Sequence, residues 1–187
     1  MIKRWLIRTL CLGLLTLPMA PLFGQNGFYL GLQAGLSNEN PSVDKIKFDR
    51  NSAFLYGGQV GFRIHSLAIE GRFFRADHEL LSPDPRLDNY DGLGLNYYYL
   101  GANAKLGIPL AIIYPYLTVG YGLYAAKVED IGDESTASFS VGGGVELTLG
   151  KVGLFAELLY IDFSVDLTGK SWDFGGMNVH AGLNFHF

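Results

Sequence analysis

Residues 177–187, with the sequence MNVHAGLNFHF, alternate apolar and polar side chains without interruption. One face carries Met177, Val179, Ala181, Leu183, Phe185 and Phe187, and the other carries Asn178, His180, Gly182, Asn184 and His186. A period of two is typical of a β-strand that separates two environments. About 9–11 residues suffice for a tilted strand to cross a bilayer, and terminal aromatic side chains suit the membrane–water interface. The stretch therefore predicts a strand with its apolar face in lipid.

The N-terminal 25 residues have the pattern of a secretory signal peptide. Lys3, Arg4 and Arg8 form a basic start, and the apolar stretch 10–23 that follows is too short to span a membrane as a helix. Small residues lie near its end, which favours cleavage beside Gly24 or Gln25. We expect residues 1–25 to be removed on export and residues 26–187 to form one β-barrel domain.

Charge and cysteine content exclude several classes of function. Removal of three basic residues with the signal peptide leaves 11 basic and 18 acidic residues, a net charge of −7. Such a surface has no general attraction to nucleic acid. The single cysteine, Cys11, lies in the signal peptide, so we expect no disulfide and no cysteine-based metal site. The sequence predicts neither a metal nor a cofactor.

Eight segments of the remaining chain have the period of a β-strand. They span residues 27–37, 53–65, 67–76, 93–108, 113–127, 137–149, 152–163 and 174–187. Only helices and closed barrels satisfy every backbone polar group within lipid, and no later segment has the 18 or more apolar residues of a transmembrane helix. The fold class predicted is all-β: an eight-stranded antiparallel up-and-down transmembrane β-barrel. A soluble β-sandwich or lipocalin-like barrel is the alternative.

The connections between these segments alternate in length. Short turns are expected at 65–66, 109–112 and 150–151, with long polar loops at 38–52, 77–92, 128–136 and 164–173. This alternation is typical of a membrane barrel whose N-terminus lies on the short-turn, periplasmic side. The long loops would then be extracellular.

Six ionisable groups fall on the inward face, whereas the outward residues assigned to lipid contact, such as Leu32, Val119 and Leu158, are uncharged. They are Arg63, Glu70, Arg72, Lys105, Glu146 and Glu157. Glu70, Lys105 and Glu146 each lie about four residues from a short turn, so we expect them to meet at one depth and to pair. The interior of an eight-stranded barrel is just wide enough for side chains to fill it. We therefore predict a packed polar core that stiffens the barrel, with a gate between two arrangements of the charges as the alternative.

The histidines offer a weak signal for catalysis. His78 lies near Asp77, Glu79 and Ser82 at the expected outer rim, but no spacing typical of a serine–histidine pair occurs. His180 and His186 are expected to face the lumen and His65 to lie in a turn. The acidic residues of the expected loops do not have the spacing of a calcium loop, and we expect them to be solvated. These residues are Asp84, Asp88, Asp91, Glu129, Asp130, Asp133 and Glu134.

Taken together, these features resemble the small eight-stranded outer-membrane barrels of the OmpA and OmpX type, and more closely the broad outer membrane protein beta-barrel domain family. Residues 179–187 carry the resemblance most directly, because a strand that ends on phenylalanine is similar to the outer-membrane sorting signal. The signal residues would be Leu183, Phe185 and Phe187. The resemblance implies an integral protein of the Gram-negative outer membrane, inserted by the barrel-assembly machinery and in contact with lipid and lipopolysaccharide.

The function expected from this resemblance is non-catalytic. A plugged barrel would act in envelope structure or in surface interaction through its extracellular loops, whose ligand the sequence does not name. A small porin-like channel is the first alternative and a lipid A-modifying enzyme the second. Neither nucleic acid nor a small-molecule cofactor is an expected partner.

Overall fold

The computed structural model describes residues 26–39, 42–43, 46–47, 51–79, 92–128, 132–167 and 169–187. The proposed signal peptide lies outside this part of the chain. The described strands are β1 (Gly27–Glu39), β2 (Ser42–Val43), β3 (Ile46–Lys47), β4 (Asn51–Ile64), β5 (Leu67–Glu79), β6 (Gly94–Gly107), β7 (Ile113–Val128), β8 (Gly132–Leu149), β9 (Val152–Leu167) and β10 (Lys170–His186). No helix in these ranges is long and apolar enough to cross a membrane.

The eight long strands form a closed barrel. Each pairs antiparallel with the next long strand along the chain, and β1 closes on β10 through a ladder that includes Leu32 opposite Leu183. The predicted fold class is confirmed. The three short turns also occur where the sequence places them, and His65 adopts the left-handed φ of 52° in the first of them.

Of the four long loops predicted from the sequence, two are wrong predictions. The β7–β8 ladder continues up to Val128 opposite Gly132, and the β9–β10 ladder up to Leu167 opposite Lys170. Residues 128–136 and 164–173 therefore consist mostly of paired strand. Beyond the apolar band the outward face of a strand meets water while the inward face is buried, so on β9 Asp162, Ser164 and Asp166 are exposed and Phe163 and Val165 are buried. The pattern of apolar residues on the outward face stops there, although the backbone ladder continues. Strands β1, β4 and β5 likewise extend two or three residues into the loops expected at 38–52 and 77–92.

A band of exposed apolar side chains surrounds the barrel. Leu32 is 72% exposed and Leu117 is 71% exposed. Every long strand contributes further exposed apolar side chains to this band. Charged outward residues begin at Arg75, Lys127 and Asp162, towards the end of the barrel opposite the short turns. Because water does not tolerate so large an apolar surface, the band marks the lipid-embedded part of the barrel.

The inward glycines allow the strands of this narrow barrel to approach closely. A Cβ on Gly142 would lie 2.1 Å from the carbonyl oxygen of Leu158, and a Cβ on Gly101 would lie 2.6 Å from the carbonyl oxygen of Tyr121. These contacts are with backbone atoms, which cannot move aside as a side chain can. The glycines therefore permit the close strand approach seen on the inner wall.

The interior changes character along the barrel axis. Charged and amide side chains fill the part inside the apolar band, whereas aromatic and aliphatic side chains fill the part at the end opposite the short turns. The change coincides with the upper edge of the band, because inward Phe74 and Phe163 adjoin outward Arg75 and Asp162. The predicted polar core is thus wrong for the half of the barrel that lies away from the short turns. Strands that meet water outside are stabilised there by apolar burial, as in a soluble barrel.

Candidate functional site

The six inward ionisable residues all lie in the barrel interior. They come from β4, β5, β6, β8 and β9, at alternate positions whose neighbours face outward. Each is at most 2% exposed. Three carboxylates and three cations balance, so these six residues together carry no net charge. Burial at this level is tolerable only if each charge has a close partner.

Four of the six form a compact tetrad inside the membrane-spanning part. Lys105 Nζ lies 2.7 Å from Glu70 Oε1 and 3.5 Å from Glu157 Oε2. Arg72 Nη2 lies 2.8 Å from Glu70 Oε2, and the Arg72 guanidinium also donates two hydrogen bonds to Glu157. Each carboxylate is therefore shared by the two cations. We call Glu70, Arg72, Lys105 and Glu157 the charge tetrad.

Two phenols complete the tetrad. Tyr29 OH donates to Glu70 Oε1 at 2.6 Å, and Tyr116 OH donates to Glu157 Oε2 at 3.0 Å. Lys105 Nζ also lies 4.4 Å from the centroid of the Tyr116 ring, within cation–π range. The period of two that places Glu70 and Arg72 on the inward face does the same for both tyrosines but gives them no role. Each tyrosine lies two strands away from its glutamate in the sheet, so no spacing in the sequence indicates the contact.

Glu146 is the centre of a second group nearer the short turns. Its Oε2 lies 2.8 Å from Arg63 Nη2 and accepts a hydrogen bond of 2.6 Å from Asn184 Nδ2. His186 Nε2 lies 3.1 Å from the other carboxylate oxygen. Arg63 is further held by the Tyr114 ring, whose centroid is 4.2 Å from its Cζ. Glu146 thus binds β8 to β4 and to the last strand.

The structure brings Glu70 and Lys105 together but places Glu146 in the other group. Glu157 on β9 stands opposite Gly144, two residues further from the turn than Glu146. Strands of a closed barrel are staggered by its shear, so equal counts from a turn do not give equal depth. This stagger is the reason that the expected meeting of three residues is incomplete.

An aromatic cluster lies above the charge tetrad. Its members are Phe74, Tyr97, Tyr99, Tyr124, Phe163, Trp172 and Phe174, each at most 4% exposed. Successive ring centroids of Phe74, Tyr99, Tyr124 and Phe163 are 4.8 Å apart, and Phe174 follows at 5.0 Å. The rings come from β5, β6, β7, β9 and β10 and so reach from one wall to the other. The period of two places Tyr97, Tyr99 and Tyr124 on the inward face, but it does not show that the rings form one cluster.

His78, His180 and His186 are buried, whereas His65 is exposed in the first short turn. His78 Nε2 lies 3.2 Å from Ser37 Oγ, and both residues are buried. His180 Nδ1 lies 3.3 Å from Gln33 Oε1, and its ring packs edge-on against Phe74 at 5.2 Å. Ser82 and the acidic residues at 84, 88, 91, 129 and 130 lie outside the described residues, whereas Asp133 and Glu134 belong to β8.

The three proposed sorting residues face outward on β10. Leu183 and Phe185 are about half exposed, and Phe187 is 67% exposed. The rings of Phe185 and Phe187 meet edge to face at 5.4 Å, and the Phe187 amide donates to the carbonyl of Phe28 at 3.0 Å. The last residue is thereby tied to the first strand.

Comparisons with known proteins place the chain in a family. The family model described as outer membrane protein beta-barrel domain matches residues 9–187. A search of curated proteins found no match. Among solved structures, Neisserial surface protein A is 20% identical with a TM-score of 0.60, over 88% of this chain and 99% of that one. This likeness concerns the fold alone.

Two further structures are more distant. Ail of Yersinia pestis, solved in complex with the heparin analogue sucrose octasulfate, is 17% identical with a TM-score of 0.48, over 85% of this chain and 99% of that chain. The N-terminal β-barrel domain of Pseudomonas aeruginosa OprF is 18% identical with a TM-score of 0.44, over 87% of this chain and 99% of that one. The family match, the closed barrel and its apolar band agree: the chain belongs to the outer membrane protein beta-barrel domain family and is a β-barrel of the bacterial outer membrane.

Proposed function

We propose that the protein is a non-catalytic outer-membrane barrel with a plugged lumen, which acts in envelope structure or surface interaction through its extracellular hairpins. The observation that carries this proposal is the two-part interior. A neutral network of paired charges fills the membrane-spanning part, and a wall-to-wall cluster of aromatic rings fills the part above it. An ion that crosses the barrel would have to displace both.

The charge pairing supports a plug over a pore. Every one of the six inward charges has an opposite charge within hydrogen-bond distance, so none is left to line a water-filled path. Breaking such a pair in a dry interior commonly costs about 3–5 kcal/mol, which makes a second arrangement of the charges rare. The aromatic cluster adds a barrier that has no charge to attract an ion.

The burial of the histidines supports a role without catalysis. Lipid A lies outside the barrel wall, whereas His78 and Ser37 are buried on its inner side. A lipid ester bond would not reach a nucleophile in that position. Catalysis also needs a base oriented towards an accessible substrate atom.

Export and assembly follow from the two ends of the chain. Residues 1–25 would direct the protein through the inner membrane, and the barrel-assembly machinery would recognise Leu183, Phe185 and Phe187 on the last strand. The apolar band would contact outer-membrane lipid, with lipopolysaccharide around its extracellular edge. The strands that continue above the band would present the surface available to ligands.

Planar-bilayer conductance tests the plug. The refolded mature protein should give no sustained openings across a bilayer in which a large porin, measured in parallel, conducts. Sustained openings by the native protein would overturn the plugged lumen. Mass spectrometry of lipid A from cells with and without the protein tests the absence of catalysis, and a changed acylation pattern would contradict it.

A further inference from the structure

The ladder between β8 and β9 ends before either strand does. Its last pair is Ser140 opposite Ile161, although β8 extends to Gly132 and β9 to Leu167. Above that pair, the described residues of β8 pair only with β7, and those of β9 only with β10. We call the facing segments 132–139 and 162–167 the β8–β9 seam. Among the described residues, neither segment has a backbone partner on the side that faces the other.

The side chains of β8 explain why the seam is open. Its inward positions there are Glu134, Thr136 and Ser138, whereas the neighbouring strands place aromatic and aliphatic side chains in the interior. No apolar burial therefore draws this part of β8 against β9, and residues 132–135 are exposed on both faces. One contact closes the base of the seam, where Ser138 Oγ donates to the carbonyl of Asp162 at 2.7 Å.

Elsewhere the same sheet protects its edges. The β6–β7 ladder runs up to Leu95 opposite Val128, close to the ends of both strands. The upper part of β10 is covered by β2, where Val43 pairs with Trp172 and both are buried. The chain thus caps the edge of β10 by adding a short strand to it. The gap between β4 and β5 is shorter, leaving residues 51–54 and 77–79 beyond the last pair.

The acidic side chains of the seam indicate what kind of added strand could pair with it. Asp133 and Glu134 on β8 and Asp162 and Asp166 on β9 are all exposed. Pairing two copies of the chain through β8 would place acidic residues against acidic residues, which destabilises a strand pair. A segment with lysine or arginine at alternate positions would instead meet carboxylates from both edges.

We propose that the β8–β9 seam binds an extended cationic segment of another protein as an added β-strand. Backbone hydrogen bonds to the two free edges provide affinity, and the carboxylates select the charge of the segment. This inference rests on the proposed surface-interaction function and names the chemistry of the partner. The partner segment is extended, basic and alternating.

Hydrogen exchange of the refolded mature chain in lipid nanodiscs tests the inference. The probe is a peptide of about ten residues that alternates lysine and threonine, and the comparison is the same peptide with glutamate for lysine. The cationic peptide should slow exchange of the β8 and β9 seam amides about fivefold or more, and less at high salt. No protection, protection outside the seam, or equal protection by the acidic peptide would overturn the inference. Protection that rises with protein concentration without peptide would identify a second copy as the occupant, which also overturns it.

Charge variants make the test specific. The combined variant D133N/D162N/D166N should weaken binding of the cationic peptide about tenfold or more, because three cross-strand charge contacts on the outward face are lost. Asp77→Asn, on β5 at the same end of the barrel, is the matched control and should bind as the native protein does. Gel mobility of the folded form verifies that each variant forms a barrel. An unprotected seam in a non-conducting barrel would refute this inference alone, whereas a conducting barrel would refute the proposed plug.

Discussion

Replacement of Glu146 by leucine should destabilise the barrel more than any surface change. Glu146 is completely buried and contacts Arg63, Asn184 and His186, so it joins β8 to both β4 and β10. Without it, the Arg63 guanidinium stays in the interior with no carboxylate within contact distance among the described residues. Removal of one member of a buried pair costs about 3–5 kcal/mol, and we expect a loss of stability in that range for Glu146→Leu.

A double variant distinguishes the contribution of the ion pair to stability from that of side-chain packing. Replacement of a buried ion pair by apolar residues of similar volume is often neutral or stabilising. Arg63→Met combined with Glu146→Leu should therefore recover most of the stability lost by Glu146→Leu alone. Glu134→Gln on the same strand is the matched control, because Glu134 is exposed and such surface changes cost at most about 0.5 kcal/mol.

Urea unfolding from lipid vesicles measures these differences. Trp172 is the only tryptophan after residue 25 and lies at 0% exposure in the aromatic cluster, so its fluorescence reports the folded barrel. A loss below about 1 kcal/mol for Glu146→Leu would refute the reasoning, because it would fall outside the cost of an uncompensated buried charge. A double variant as unstable as the single one would refute it as well, since the defect would then be one of packing.

Three further variants test other parts of the structure by the same unfolding assay. Phe163→Ala removes a central ring of the aromatic cluster and should cost about 3–5 kcal/mol, with a smaller loss counting against a packed cluster. Val119→Arg places a charge in the middle of the apolar band and should cost about 2–4 kcal/mol, whereas Asp162→Arg above the band should cost little. Gly142→Ala should cost about 1–3 kcal/mol because its Cβ would meet a backbone oxygen, while Gly71→Ala, with its nearest neighbour 3.6 Å away, should be tolerated. Equal effects of the two glycine changes would contradict the close approach of β8 and β9.

The strand pattern and the facing of each strand follow directly from the sequence. The alternation around Leu117 and Val119 is strong because lipid admits only apolar side chains, so one residue type identifies the outward face. The short turns are equally readable, since Gly150 with a φ of 61° and the His65–Ser66 pair interrupt the alternation at the places where strands reverse. The inward position of all six charges follows from the same period of two.

The contacts inside the barrel do not follow from the sequence. The shear of the barrel determines that Glu146 meets Arg63 while Glu70 meets Lys105. The offset between neighbouring strands cannot be obtained by counting residues along one strand. The aromatic cluster is also hidden, because above the apolar band Phe163 alternates with the charged residues Asp162 and Asp166 in a pattern that a half-exposed soluble strand would share. Strand length was underestimated in this region for the same reason.

Site-directed spin labelling along β9 tests the central claim. The claim is that the interior of the barrel changes from polar to aromatic at the level where its outer surface changes from lipid-exposed to water-exposed. A nitroxide attached to a cysteine at position 154 or 158 should be accessible to oxygen dissolved in lipid, and one at position 162 or 166 to a water-soluble nickel complex. The inward position 159, at 0% exposure, should be reached by neither. Oxygen access that extends unchanged to position 166, or nickel access at position 159, would contradict this account of the barrel.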